Sequence, residues 1–331
     1  MTIRDVAAAA GVSPATVSLA LNGRGTISAA TAAQVAAIAE QLGYRPSRTA
    51  RALRTRRANT LAIVLSPLET ATVGDGVTSI EYPMRVLHAA VLAATAADQR
   101  LLVSPPLRTT EDLVELDGII VCDPPAGDPQ LALVAAAGLP VVTVERDPAR
   151  PDDRWHVNCD NGAAMRALLD HLAAAGAERI ALVAWEWDVA WTTESVDAYR
   201  AWSAERGRAA AVHYTADARR AHGTAREHVA TLLAARERPD AIVAMPDHYP
   251  AAIVQAARES GLDVPADLLV AAAMDGTAAR TSDPPVTAID LRPGDVGAAA
   301  VALLLRRIEG DQEAGPTILE STLRPRASTR R

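Results

Sequence analysis

Apolar positions follow two rhythms along this chain. Over the first forty or so residues they recur about three and four apart, the spacing of one helix face, whereas beyond residue 60 they gather into short unbroken runs. The opening stretch, Met1 to Asn22, reads MTIRDVAAAAGVSPATVSLALN. Thr2-Ile3-Arg4-Asp5 has the form of a capping box and predicts a helix start. Val6, Ala9 and Ala10 repeat at helical spacing, Gly11 permits a tight turn, and Ser13-Pro14 supplies an N-cap followed by a proline in the first helical position. A second helix therefore begins at Pro14. Its Val17, Ala20 and Leu21 share one face, leaving Ser13, Pro14, Ala15, Thr16, Ser18, Leu19 and Asn22 to point elsewhere. Two short helices across a glycine turn make a helix-turn-helix, although the spacing alone also fits any helical hairpin capping a larger domain. Ser28 or Thr31 caps a third helix carrying Val35, Ile38 and Leu42, which Gly43 ends.

After a short basic linker, Arg54 to Asn59, the second rhythm begins with Leu61 to Leu65. Further strand candidates are 101–104, 118–122, 141–144, 180–184, 211–214, 241–244 and 268–273. Alanine-rich helical patterns alternate with them, among them 83–97, 161–175, 195–206, 224–235 and 248–260. Unbroken apolar strands separated by amphipathic helices signal parallel sheets covered on both faces, a doubly wound α/β fold. About 270 residues of this alternation exceed one sheet's usual size and favour two lobes across a cleft. Between Pro106 and Asp117 there is room for one helical turn, around Glu111 to Glu115, which predicts an altered edge on the first lobe.

Charge changes the picture of the opening segment. Residues 1–58 hold eight Arg against Asp5 and Glu40, a net +6, while the whole chain carries −7 and the remainder therefore −13. A basic module on an acidic protein is the electrostatic footprint of phosphate binding, which gains from counterion release. The chain has no lysine, so all 33 basic residues are Arg. That removes a Walker-A lysine, a Schiff base and a lysine general base. GxSxG and GxGxxG are also absent, and the histidines, such as His156, His171 and His213, are scattered, so an enzyme is a distant alternative. Cys122 and Cys159 lack metal-ligand spacing and read as small buried hydrophobes. No metal or cofactor is expected. Neither a leader nor a long uncharged apolar run is present, so the expected compartment is the cytoplasm, without membrane contact.

DVAAAAGVSPATVSLALNG, then GYRPSRTARAL, then SGLDVPADLLV resemble the lac repressor family of bacterial transcription regulators, and the resemblance extends over essentially the whole chain. It implies a helix-turn-helix head at 1–46, a hinge helix and linker at 47–59, and an effector-binding and dimerisation domain at 60–331. That domain would be periplasmic-binding-protein-like, with lobe one about 60–158 and 291–319 and lobe two about 159–290 and 320–331. The implied partners are a near-palindromic double-stranded operator, a small-molecule effector such as a sugar, and a second copy of the chain. In the family the second helix enters the major groove, so the DNA-contacting set comprises Ser13, Pro14, Ala15, Thr16, Ser18, Leu19, Asn22, Arg24, Tyr44, Ser47, Arg48, Arg51, Leu53 and Arg54. Leu53 matches a leucine that wedges into the minor groove, where an apolar side chain unstacks a base step and bends the duplex. A two-lobed solute-binding protein is the other alternative, and the basic head argues against it.

Ligands of open α/β sheets sit beyond the carboxyl ends of strands, which selects Asp160, the segment Trp185 to Trp191, Asp247 and Asp275, with Tyr82 before the first lobe-one helix facing them. Asp247 and Asp275 match ligand-contacting carboxylates in the family; as isolated aspartates each also reads as a helix N-cap. Three of the five Trp fall in 185–191, and they either stack on a planar or sugar ligand or pack the lobe. Sugar-responsive relatives carry an arginine where this chain has Ser195 in Ser195-Val196-Asp197-Ala198-Tyr199. With Glu194 and Asp197 this corner is acidic, and a ligand rich in donors or positively charged fits as well as an ordinary sugar.

Overall fold

Thr2 and Asp5 close the expected capping box: the Thr2 amide donates to Asp5 Oδ2 at 2.7 Å and the Thr2 hydroxyl at 3.0 Å, starting α1, Ile3–Ala10. These coordinates come from a computed structural model and describe residues 1–21, 27–44, 57–65, 81–215 and 221–331. Asn22, Arg24, Ser47, Arg48, Arg51, Leu53 and Arg54 lie outside the described residues. Gly11 ends α1 at φ 66°, the left-handed conformation that glycine adopts without steric cost. The Ser13 hydroxyl then accepts from the Thr16 amide at 3.1 Å, capping α2, Pro14–Leu21, and Ser28 does the same for α3, Ala29–Gln41. Val6, Ala7, Ala10, Val17, Val35 and Ala39 form the head's core. Ala9, expected inside, is exposed: the short turn to α2 directs the face through Ala7 inward instead.

Residues 1–59 form one compact unit and 60–331 another. The second unit begins with β1, Thr60–Val64, then α4, Glu81–Ala96; β2, Arg100–Ser104; β3, Gly118–Cys122; α5, Pro129–Ala136; β4, Val141–Val144; and β5, His156–Cys159. It continues with α6, Asn161–Ala174; β6, Ile180–Trp185; α7, Ala190–Glu205; β7, Ala211–Thr215; α8, Ala221–Leu233; β8, Ala241–Ala244; α9, Tyr249–Glu259; β9, Leu269–Ala272; and α10, Thr277–Thr281. Last come β10, Thr287–Asp290; α11, Pro293–Ile308; β11, Thr317–Leu319; and β12, Thr322–Arg324. One sheet runs β11-β5-β4-β3-β1-β2 and the other β12-β10-β9-β8-β6-β7. Neighbours pair in parallel except β10 with β12.

The apolar runs become strands because their residues are buried on both faces, as every residue of β1, β3, β4, β8 and β9 is. β5, β10, β11 and β12 are three or four residues long and partly polar, so no run announces them. The chain passes between the sheets after β5, after β10 and after β11, and the first two passages are stitched by the buried Cys159 thiol, which donates to the Leu291 carbonyl at 3.2 Å. Lobe one is closed by α4 lying on α11. The helices approach so closely at Gly297 that a Cβ there would clash with the Val86 carbonyl oxygen. Between β2 and β3 the chain makes a single 3-10 turn, Thr110–Leu113, so edge strand β2 keeps Leu102 and Val103 exposed.

Candidate functional site

On α2 the capping that starts the helix also fixes what it presents. Pro14, Ala15 and Leu19 are exposed, Leu19 at 41%, and Thr16 and Ser18 are half-buried. The Thr16 and Ser13 hydroxyls hydrogen-bond each other at 2.9 Å, so in this state Thr16 spends its hydroxyl on the cap. Tyr44 packs on the head's core. This face carries apolar groups and hydroxyls and suits thymine methyl contacts more than a bidentate purine contact.

The second site lies where the carboxyl ends of the two sheets oppose each other. After β3 the Ala126 amide donates to the Asp188 carbonyl beyond β6 at 3.0 Å, and Pro125 pairs with Val189. After β4 Arg146 meets Glu194 on α7 at 2.5 Å. At the other side Glu81, first residue of α4, accepts from the Thr277 hydroxyl at 2.6 Å and Arg280 at 2.5 Å. Cross-lobe contacts at these three places thus frame a cleft. Burial opposes the charge on Glu81, but the hydrogen bonds from Thr277 and Arg280 prevail and hold its carboxyl below the usual range.

Between these contacts the floor of lobe one is acidic. Asp123 directly follows β3 and Glu145 directly follows β4, and both have left-handed backbones, φ 45° and 63°. Such conformations cost about 1–2 kcal/mol for a residue with a Cβ and gather at functional sites. Glu145 is 5% exposed; Asn161 Nδ2 donates to its Oε2 at 2.8 Å and to Glu194 Oε2 at 2.9 Å. Burial, then the neighbouring Asp123, push the Glu145 carboxyl well up, and burial lifts Asp123 to about 7. The Tyr82 hydroxyl is raised likewise, by burial first and then by Glu145 and Asp123.

Lobe two supplies the opposite wall. Trp185 ends β6 and Trp191 lies in the first turn of α7, their rings edge to face with centroids 6.0 Å apart. Trp191 is buried in the lobe core, while Trp185 is half-buried with a buried indole N–H that lacks a partner. Asp247, 5% exposed, sits against Gly276 and leaves Oδ1 without a hydrogen bond. Asp275 is clamped by arginines, with Arg326 at 2.7 Å and Arg280 at 3.7 Å.

Several expected placements shift. Tyr82 lies inside α4 rather than before it, because the helix starts at Glu81. α7 begins at Ala190, five residues before the predicted Ser195, since burial of Ala190, Trp191 and Thr192 holds that extra turn; Ser195 itself is buried within it. Asp160 is exposed and caps α6 by accepting from the Ala163 amide at 2.9 Å. Asp197 does not join the acidic corner: its side chain is 74% exposed and pairs with Arg200 on the outer face of α7. Asp123, Glu145, Asn161 and Glu81 were missed. The strand-end rule that picked Asp247 and Asp275 would have found the first two had it been applied to β3 and β4. Among the described residues no His, Cys, Asp and Glu group is arranged to hold a metal. A cavity of about 560 Å³ opens at the far, amino ends of β6, β7 and β8, but its Tyr199 hydroxyl is already committed to the Ile180 carbonyl at 2.6 Å and the Ala211 amide at 3.1 Å.

Residues 2–47 match the family described as bacterial regulatory proteins, lacI family, and residues 169–329 match the periplasmic binding protein-like domain. The chain is 29% identical to the HTH-type transcriptional regulator CelR of Thermobifida fusca over 99% of this chain and 98% of that one. It is 30% identical to the HTH-type transcriptional regulator reg1 of Streptomyces lividans, over 94% of this chain and 91% of that one. Its fold is similar to that of the lac repressor dimer bound to operator and the anti-inducer ONPF, with a TM-score of 0.83 and 23% identity over 99% of both chains.

Proposed function

The chain belongs to the lacI family of bacterial regulatory proteins, and from that premise we propose that it represses a catabolic or transport operon, its operator affinity set by a small polyhydroxylated molecule held between the lobes. It is a ligand-responsive, sequence-specific DNA-binding regulator, not an enzyme. The observation that carries the ligand reading is a set of buried polar atoms without hydrogen-bond partners along the lobe-two side of the cleft, on Trp185, Asp247 and Asp275 at or just beyond the ends of β6, β8 and β9 and on Asn161 and Thr192 in the first turns of α6 and α7. Buried polar groups are normally satisfied, so such a set calls for something to complete it. The family assignment and a basic helix-turn-helix head argue against a solute-binding protein.

Exposed Met84, Val91 and Leu92 on α4 and Leu102 and Val103 on β2 give lobe one an apolar surface suited to a second copy. A homodimer would present two heads to a near-palindromic operator. No helix among the described residues is long and apolar enough to cross a membrane, and we place the protein's work in the cytoplasm, where its operator is. In this reading Leu53 acts as the wedge, and Arg48, Arg51 and Arg54 meet phosphates. Lobe closure changes the spacing of the paired lobe-one domains, so ligand and operator are linked reciprocally.

The test uses the full-length protein. An operator is selected from a random duplex pool, and its affinity is then measured by fluorescence anisotropy with and without each of a panel of sugars and sugar derivatives. A consensus with two half-sites and an affinity changed at least fivefold by one compound is the expected result. Binding without sequence preference, or an affinity that no compound moves, would overturn the reading.

A further inference from the structure

Resting on the cleft as the ligand site, we propose that this chain's ligand carries a basic nitrogen on a polyhydroxylated frame, as amino sugars and imino sugars do, with the cation seated between Asp123 and Glu145. The carboxylates around the cleft divide into two sets. Glu194 is neutralised by Arg146, Glu81 by Arg280, and Asp275 by Arg326. Asp123 and Glu145 have no arginine within ion-pair distance among the described residues, and Asp247 faces the His248 ring at 3.8 Å rather than an arginine; Glu145 and Asp247 are each 5% exposed. Buried carboxylates are costly unless paired, so Asp123 and Glu145 side by side on the floor of lobe one, with Asp247 on the wall of lobe two, leave a demand for positive charge.

Partnerless atoms give an independent indication. Asn161 is 2% exposed, and its amide nitrogen is spent on Glu145 and Glu194 while its Oδ1 accepts from nothing. The Thr192 hydroxyl, on a residue 2% exposed, makes no hydrogen bond among the described residues, and neither does Asp247 Oδ1, which has the His248 ring 3.8 Å away. Against these three acceptor-capable atoms stands one pure donor, the Trp185 indole N–H. A complement to such walls is rich in donors. A sugar hydroxyl donates once and accepts as readily, whereas a protonated primary amine offers three donors and a protonated ring nitrogen two, and either accepts nothing and carries the missing charge.

Two carboxyls can satisfy each other by sharing a proton, but no hydrogen bond joins Asp123 to Glu145 among the described residues. Their backbone amides are also fixed, Asp123 on the Val144 carbonyl at 2.9 Å and Glu145 on the Val157 carbonyl at 2.8 Å. Each acid is therefore held at the end of its strand rather than free to swing into solvent. Burial displaces both carboxyls upward, and Asp123 displaces Glu145 further, which is what a site awaiting a cation shows: seating the ammonium favours their ionised forms.

The test is isothermal titration of the full-length protein with matched sets: glucosamine, galactosamine and mannosamine, each beside its N-acetyl derivative and parent hexose, the β-1,4-linked glucosamine disaccharide beside cellobiose, and 1-deoxynojirimycin beside glucose. In at least one set the amine is expected to bind about tenfold tighter than its neutral counterparts, the difference between a charge-assisted and a neutral hydrogen bond. Glu145→Gln and Asp123→Asn should each erode that preference several-fold and the double variant bring it within about twofold, with its cooperative thermal unfolding retained. Equal or tighter binding of the neutral members, an unchanged preference in the double variant, or no binding by any amine overturns the proposal. A neutral sugar that binds and shifts operator affinity would leave the cleft reading standing and remove the amine alone; silence from every compound in both titration and operator binding would count against both.

Discussion

Asp123→Asn should stabilise the protein, and increasingly so as pH rises. In the folded chain burial lifts this carboxyl from its ordinary 3.8 to about 7, so between those values the folded state holds a proton that the unfolded state has released. Stability must then fall with rising pH through that window, because the unfolded state binds fewer protons. Below about pH 4 both states are protonated and the site contributes nothing; above about pH 7 the full penalty is present. Some three pH units at about 1.4 kcal/mol each set a ceiling of about 4 kcal/mol. Asp123 keeps part of its surface in solvent, which screens its charge, and about 2 kcal/mol is the expected gain at pH 8. All five Trp lie between Trp155 and Trp202, so Trp fluorescence during urea unfolding reads the two-lobed body without interference from the head. Wild type and variant compared at pH 4, 5, 6, 7 and 8 should diverge progressively, the variant being the more stable. A gap that does not change with pH, or a variant less stable at pH 8, would refute the account of a buried, unpaired acid.

Gly297→Ala should cost about 3 kcal/mol or more in the same unfolding assay, since its methyl meets the Val86 carbonyl at the α4–α11 crossing and backbone on one side has to move. A loss under about 1 kcal/mol would mean that the helices can separate freely. Leu19→Arg should change the consensus recovered in binding-site selection rather than abolish binding, because Leu19 is exposed on α2 while Val17 holds the core; an unchanged consensus argues against this face meeting bases. Asp275→Ala should remove the ligand response of operator binding and cost about 1–3 kcal/mol of stability, because Arg326, with its side chain 19% exposed, loses its 2.7 Å partner. Asp275→Asn, which keeps an acceptor for Arg326, should lose less stability, and a wild-type ligand midpoint in Asp275→Ala would remove this residue from the effector site.

Local chemistry alone determined the head and the order of elements. The capping box at Thr2 and Asp5, the left-handed turn at Gly11 and the Ser13-Pro14 start depend on neighbours within four residues, so sequence states them completely. The apolar runs at β1, β3, β4 and β8 were likewise legible because a strand buried on both faces has no polar residue to disguise it, and the short stretch before Asp117 foretold the missing helix beside β2. Tertiary structure alone decided which acids face which. Asp197 and Glu194 are three residues apart on one helix, yet one meets solvent and Arg200 while the other meets Arg146 from the opposite lobe. Asp275 looks like a lone strand-end carboxylate until Arg326, some fifty residues on, is folded against it, and Asp123 and Glu145 become neighbours only when β3 and β4 lie side by side. Helical caps and strand burial are set by short-range geometry; the pairing or isolation of a charge depends on elements distant in sequence, and it is that pairing which gives the cleft its preference.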